Sequence, residues 1–325
     1  MKTHQELLKS VNNYLSENAY HRRPQGLYGP INYVLEAGGK RLRPVLMLLA
    51  YSLYKDDVDT ILPVAAGIET YHNYTLLHDD LMDCAEMRRG KTTVHVKWND
   101  NTAILSGDAM LVLAYERLAK CREEKLKDVL NVFSKTALEI TEGQQYDMDF
   151  EARNDVTQEE YLEMIRLKTS VLLAAALKIG AILADATQND IDRLYRFGEK
   201  LGLAFQLQDD YLDVYGSPET FGKNIGGDIL CNKKTFMLIN AFQRANAEQR
   251  KELKYWIKDT EPSDSQKKIK AVTRLYDDIG IRQLAEQHIK HYFEACIFEL
   301  SGLQVSDERK QPLLDYAKTM MHRTY

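Results

Sequence analysis

The stretch Val171 to Ala184 carries no polar side chain except Lys178. A helix apolar on most of its circumference must be surrounded by other elements. The run is also the longest of its kind, and it stays below the about 18 apolar residues of a membrane span. The chain is therefore expected to wrap other helices around this one, with no membrane insertion and with a cytoplasmic location. Glycine and proline number 17 and 7 in 325 residues, about 7% together against an average near 12%. So few turn residues cannot serve the many tight turns of a sandwich or barrel, whereas Leu, Ala, Glu, Lys and Gln favour helix. The expectation is an all-α fold, a single large helical bundle over residues 1–325.

Periodic apolar stretches place helices at about 3–17, 41–54, 61–84, 101–121, 125–148, 158–184, 188–214, 233–258, 263–299 and 307–322. Pro44 falls in the first turn of its helix, where a missing N–H costs nothing. Gly216, Pro218, Gly222 and Gly226-Gly227 form a loop. A second follows Glu261-Pro262, with Ser263 or Asp264 as N-cap. The N-terminus has no apolar core of a signal peptide. Cys84, Cys121, Cys231 and Cys296 form no CxxC pair, which fits thiols in a reducing compartment. Net charge is −5. That balance argues against a general nucleic-acid binder, while leaving room for local phosphate sites.

Two carboxylate clusters stand out. Asp79, Asp80 and Asp83 lie at i, i+1 and i+4 near the end of a helix, where the macrodipole disfavours negative charge. Asp209, Asp210 and Asp213 repeat the spacing at the end of another. One such cluster alone reads best as a solvated face; two matching ones call for a cation. Carboxylates without His or Cys companions suit a hard ion, and magnesium is held by one or two carboxylates plus substrate phosphates.

A phosphate-bearing substrate requires cations, and they are present. Lys40, Arg41 and Arg43 open a helix after Gly38-Gly39; Arg88, Arg89 and Lys91 follow the first cluster; Lys223 and Lys233 follow the second. Lys168-Thr169 begins an apolar run, where a lysine needs a reason. Arginine grips phosphate with two bonds, lysine as a point charge. His72 lies two turns before Asp79 on the same face, and Gln206 three residues before Asp209. His78 and His95 are read as structural.

Together these blocks resemble the trans-isoprenyl diphosphate synthases, the polyprenyl synthetase family whose short-chain members include geranylgeranyl and farnesyl diphosphate synthases. The blocks are GGKRLRP at 38–44, HDDLMD at 78–83, RRGKTTVH at 88–95, KTS at 168–170, FQLQDDYLD at 205–213 and GKNIGGD at 222–228. The resemblance covers about residues 30 to 240 and implies the all-α isoprenoid synthase fold, a homodimer and three magnesium ions. It implies Asp79, Asp83 and Asp209 as principal metal ligands, with Asp80, Asp210 and Asp213 in support. It implies Lys40, Arg43, His72 and Arg89 as the grip on isopentenyl diphosphate. Arg88, Lys168, Lys223 and Lys233 would grip the allylic diphosphate (dimethylallyl, geranyl or farnesyl), with Thr169 and Gln206 facing the allylic cation.

In that family, bulky residues upstream of the first cluster limit product length. Tyr74 is five residues before Asp79, about 7–8 Å along a helix; Thr75 is small, and Tyr71 lies about one turn earlier. One aromatic at the fifth position implies a twenty-carbon product, geranylgeranyl diphosphate, with farnesyl diphosphate as the nearer rival. The competing readings are a class I terpene cyclase, which would not carry two such clusters, and a non-catalytic regulatory subunit, which would lose carboxylates. A di-iron bundle would need Glu-x-x-His pairs on two facing helices, and the sequence holds a single one, Glu69-Thr70-Tyr71-His72.

Overall fold

The structure is a computed structural model that describes residues 2–217, 225–258 and 265–321. Among them the only strands are β1 (Met87–Arg88) and β2 (Lys91–Thr92), an antiparallel hairpin, and the remaining regular structure is helical. The all-α expectation holds. By packing, the chain divides into two units. The first comprises Met1–Lys135, Ala175–Tyr195 and Leu303–Leu313, the second Thr136–Ala174, Arg196–Gly302 and Leu314–Tyr325.

The first unit holds α1 (His4–Glu17), α2 (Gln25–Leu35), α3 (Leu42–Ser52), α4 (Leu62–Met82), the hairpin, α5 (Val94–Lys97) and α6 (Asp100–Leu118). Thr3 and Glu6 close a capping box at the start of α1. Helix α4 packs along α6, and against α3 and α1. Helix α2 went unforeseen because Gly26, Gly29 and Pro30 lower its intrinsic propensity. Burial of Ile31 and Leu35, in the cluster that also holds Met110 and Leu113 of α6, overrides that cost. In the hairpin turn Arg89 and Gly90 both have positive φ, 53° and 72°, the geometry of a type I′ turn.

Helix α7 (Glu123–Ala152) begins in the first unit and ends in the second. The second unit continues with α8 (Gln158–Ile165), a π-turn at Arg166–Ser170, the start of α9 (Val171–Leu183) and most of α10 (Gln188–Tyr215). It adds α11 (Gly227–Leu230), α12 (Phe236–Arg244), α13 (Ala247–Lys258), α14 (Ser265–Ile279), α15 (Ile281–Ser301) and the end of α16 (Asp307–Met321). Its core joins Phe150, Tyr161, Leu207, Phe236, Leu253 and Tyr276. Two expected helices are each a pair. The first is interrupted at Ala245, extended at ψ 136°, after which Asn246 and Gln249 cap each other reciprocally. The second breaks at Gly280, whose φ of +81° ends α14. The expected caps Ser263 and Asp264 lie outside the described residues.

Every residue from Val171 to Ala184 is buried except Lys178, as the sequence requires. Lys178 reaches Asp192 at 3.7 Å and lies over the Tyr195 ring. No helix among the described residues is long and apolar enough to cross a membrane.

Candidate active site

In the first unit, α4 ends on its carboxylate cluster. Asp79 is half-buried, Asp80 buried and Asp83 exposed at the helix end. Arg88, aimed back by the hairpin, binds both inner members: its Nε donates to Asp80 at 2.5 Å and its Nη2 to Asp79 at 3.3 Å. Burial raises the Asp80 carboxyl above its usual range, and the Arg88 charge opposes that rise.

Farther along the same α4 face lies a cationic pocket. Arg43 of α3 donates from Nη1 to His72 Nε2 at 3.0 Å. His72 must therefore accept at Nε2 and carry its proton on Nδ1. Burial holds His72 well below the ordinary imidazole range, and Arg43, Arg89, Arg88 and Arg41 add to it. Arg43 itself is lowered to about 10, by burial first and by Arg89 as well. Its Nε is buried with no hydrogen-bond partner among the described residues. Arg89 donates to the Gly38 carbonyl and, at 3.5 Å, to Asn73. Lys40 is exposed, next to Arg41.

One buried acid tempers this charge. Glu69 Oε1 accepts from Arg41 at 2.7 Å and from Asn73 at 2.9 Å. Arg41 also donates to the Leu35 carbonyl at 2.5 Å, so its role is to tie the start of α3 to α4. Arg43, His72 and Arg89 are the groups of this cluster to which Glu69 makes no hydrogen bond.

Tyr71 is buried, its ring 5.0 Å from Phe133 and 5.4 Å from Tyr74. Tyr74 is half-buried, with its ring 4.8 Å from His78. The Thr75 hydroxyl bonds the His72 carbonyl at 2.8 Å, within its own helix. Tyr74 and Tyr71 thus form an aromatic pair, tilted at 44°, on the turns of α4 that precede the first cluster.

In the second unit, α10 carries Asp209 half-buried and Asp210 and Asp213 buried. Asp210 Oδ2 accepts from the Tyr161 hydroxyl and from the Phe236 amide at 3.4 Å; its Oδ1 accepts from Gln206 at 3.3 Å. Burial first, and the Asp228 carboxylate next, push Asp210 up to about 7. Asp213 Oδ2 accepts from the Asp228 amide at 3.0 Å. Lys233 is exposed, and its charge is close enough to favour the ionised Asp210. Lys223 lies outside the described residues.

Lys168 and Thr169 occupy the π-turn, a rare geometry often found at functional sites. Lys168 Nζ meets Asp147 of α7 at 2.5 Å. The Thr169 hydroxyl donates to Gln206 Oε1 at 3.3 Å, which links the turn to the α10 cluster. Two glycines allow this. A Cβ on Gly143 would stand 2.4 Å from the Lys168 backbone nitrogen, and one on Gly202 would stand 2.6 Å from Ser170 Cα.

Sequence reasoning missed Glu69, Asn73, Asp147 and Tyr161, and took Asp228 only as part of the block at 222–228, without a role. A lone acid inside an apolar helical run was a readable sign for Glu69; Tyr161 gave none. Among the described residues no three His, Cys, Asp or Glu side chains converge on one ion position. The donor sets are all carboxylate, which fits magnesium completing its shell with substrate oxygens and water. Softer metals that seek nitrogen or sulfur find no ligands in either cluster.

A family model described as polyprenyl synthetase matches residues 24–275. A geranylgeranyl diphosphate synthase of Methanosarcina mazei is 46% identical over 224 residues, 68% of this chain and 69% of that protein. A geranylfarnesyl diphosphate synthase of Natronomonas pharaonis is 36% identical over 97% of this chain and 95% of its own. Among solved structures, a geranylgeranyl pyrophosphate synthase is similar at a TM-score of 0.95 and 41% identity, with both chains fully covered. The geranylgeranyl pyrophosphate synthetase of Pyrococcus horikoshii Ot3 follows at 0.91 and 34%, covering 99% of this chain and 97% of that one.

Proposed function

This chain belongs to the polyprenyl synthetase family and is a short-chain trans-prenyltransferase, and we propose that it joins isopentenyl diphosphate to an allylic diphosphate to make geranylgeranyl diphosphate. The observation that carries the substrate assignment is the Arg43–His72–Arg89 pocket. Burial first, and neighbouring arginines next, lower the pKa of all three groups there, His72 most consequentially because it is kept neutral. A diphosphate would relieve that repulsion by supplying the missing negative charge. We assign this pocket, with Lys40, to isopentenyl diphosphate, and Arg88, Lys168, Lys223 and Lys233 to the allylic diphosphate. The relatives named for geranylfarnesyl and geranylgeranyl products support a short chain, and the Tyr74–Tyr71 pair supports twenty carbons over longer products.

Asp79, Asp83 and Asp209 would hold magnesium, supported by Asp80, Asp210 and Asp213, and the ion would supply the charge that neutralises a leaving diphosphate, as in other phosphate chemistry. Arg88, Lys168 and Lys233 hold that diphosphate as the allylic C–O bond breaks and its electron pair leaves with oxygen. Thr169 Oγ1 and Gln206 Oε1 present dipoles to the allylic cation. Arg43, His72, Arg89 and Lys40 fix the second diphosphate so that the isopentenyl double bond attacks the cation. The tertiary cation so formed then loses a proton from C2 of the isopentenyl unit, next to the carbon that bears its diphosphate, to the released diphosphate; this restores an allylic double bond and needs no protein nucleophile. The single-domain reading belongs to this proposal, as do the cytoplasmic location and a homodimer formed through an exposed apolar row on α6.

A product assay tests the function. Purified protein with magnesium and labelled isopentenyl diphosphate is given dimethylallyl, geranyl or farnesyl diphosphate, and dephosphorylated products are sized. Products ending at twenty carbons are expected, with longer ones from Tyr74→Ala and none from Asp79→Ala. Full turnover by Asp79→Ala would sink the metal assignment. No elongation with any primer would favour the cyclase or the regulatory subunit.

A further inference from the structure

The second cluster is spaced like the first, yet its middle member is held quite differently. Asp80, also buried, is met by the charged guanidinium of Arg88. Asp210 points inward, is 4% exposed, and has each oxygen engaged by neutral donors. Those donors come from three elements: Tyr161 on α8, the first backbone amide of α12 at Phe236, and Gln206 one turn earlier on α10. A helix turn places Asp210 about 100° from Asp209, with Asp213 back on the face of Asp209. Oδ2 accepts two of these donors and Oδ1 the third, so the carboxylate is held from both ends.

We infer that Tyr161 is a positioning residue: it holds Asp210 as the buried anchor of the second aspartate cluster, behind the carboxylate of Asp209. The Tyr161 hydroxyl, 2% exposed as a residue, fixes the rotation of α10 at its C-terminal end. That rotation presents Asp209, and sets Asp213 against the Asp228 amide. Through Gln206, the same network orients Thr169 on the π-turn. One buried tyrosine therefore ties the metal-facing carboxylate to the group that faces the cation. This deepens the proposed function and rests on it, since it presumes that the α10 cluster binds magnesium with diphosphate.

Calorimetry with magnesium plus inorganic diphosphate separates the two ideas without any turnover. If the wild-type chain does not bind that pair, the reading of the site itself fails. If it binds, Asp209→Asn should abolish measurable binding. Asp210→Asn retains an oxygen for Tyr161, so its binding should persist, weakened by about tenfold, as should that of Tyr161→Phe. The double variant should be no weaker than either single one, because the two side chains act as a unit. In turnover, Tyr161→Phe should raise the magnesium concentration for half activity and recover near wild-type kcat when magnesium is saturating. A merely structural tyrosine would lower Tm and leave that magnesium dependence unmoved. Asp210→Asn binding no better than Asp209→Asn would overturn the proposal, and so would unchanged magnesium dependence in Tyr161→Phe.

Discussion

His72 is a histidine kept neutral among arginines, and this has a measurable consequence. Its folded pKa lies well below 6.5, by burial first and then by Arg43 and its neighbours. As pH falls through about 6.5, the unfolded chain takes up a proton that the folded chain refuses. Stability is therefore full above that range and declines below it. His72→Gln removes the titration and keeps an acceptor for Arg43. Between about pH 7.5 and about pH 5.5 the variant should lose about 1 kcal/mol less stability than wild type, read by denaturant melts. Equal slopes would mean that His72 is protonated in the fold. Arg43, His72 and Arg89 were legible in the sequence because a cation with no acid at helical spacing asks for an external anion. Glu69 showed only as a lone acid in an apolar helical run, with nothing to name its partner, and Tyr161 did not show at all. Their partners lie 28 and 49 residues away, and no local spacing encodes a pairing across that distance.

At the scale of elements, periodicity found the long helices and missed what bends or joins them. The break at Gly280 and the turn at Ala245 interrupt patterns whose apolar faces continue across the break, so period alone reads one helix where two exist. The π-turn at Arg166–Ser170 is likewise invisible, since its residues, Arg-Leu-Lys-Thr-Ser, include one apolar side chain and give no period to shift. Yet its two glycine contacts carry a prediction. The Gly143 and Gly202 backbones approach the turn so closely that an added methyl would strike main-chain atoms, which cannot rotate away. Gly202→Ala should cost about 2 kcal/mol by overpacking. It should also displace Thr169 from Gln206 and lower kcat more than the KM for isopentenyl diphosphate, whose groups lie in the first unit. A variant as stable and as fast as wild type would show that the turn has room to move. The two aspartate motifs were fully legible because their chemistry is local to four residues. Which of their oxygens point outward was not, because that depends on the neighbours of α10.

At the scale of the whole molecule, the strongest unspent feature is the outer face of α6. Ile104, Leu105 and Val112 are 45%, 61% and 66% exposed, and they fall on one side of the helix together with Asp108. Val96 on α5, exposed to 51%, adds to the apolar surface of the same unit. The overall charge of −5 leaves most of such a chain's surface well hydrated. An uncovered row of branched aliphatics is then a cost that pairing two copies removes. A two-fold interface is self-complementary, so one substitution acts twice across it. Leu105→Glu with Val112→Glu would bring four carboxylates into an apolar contact, and the penalty of burying unpaired charge exceeds what the lost aliphatic contact alone would cost. Sedimentation should show a dimer for the wild type and a monomer for the double variant, with the helical circular dichroism of both unchanged. A wild type that sediments as a monomer would leave the row to another partner. A double variant that stays dimeric would move the interface to a different face, since no tight contact could shelter four carboxylates on this one.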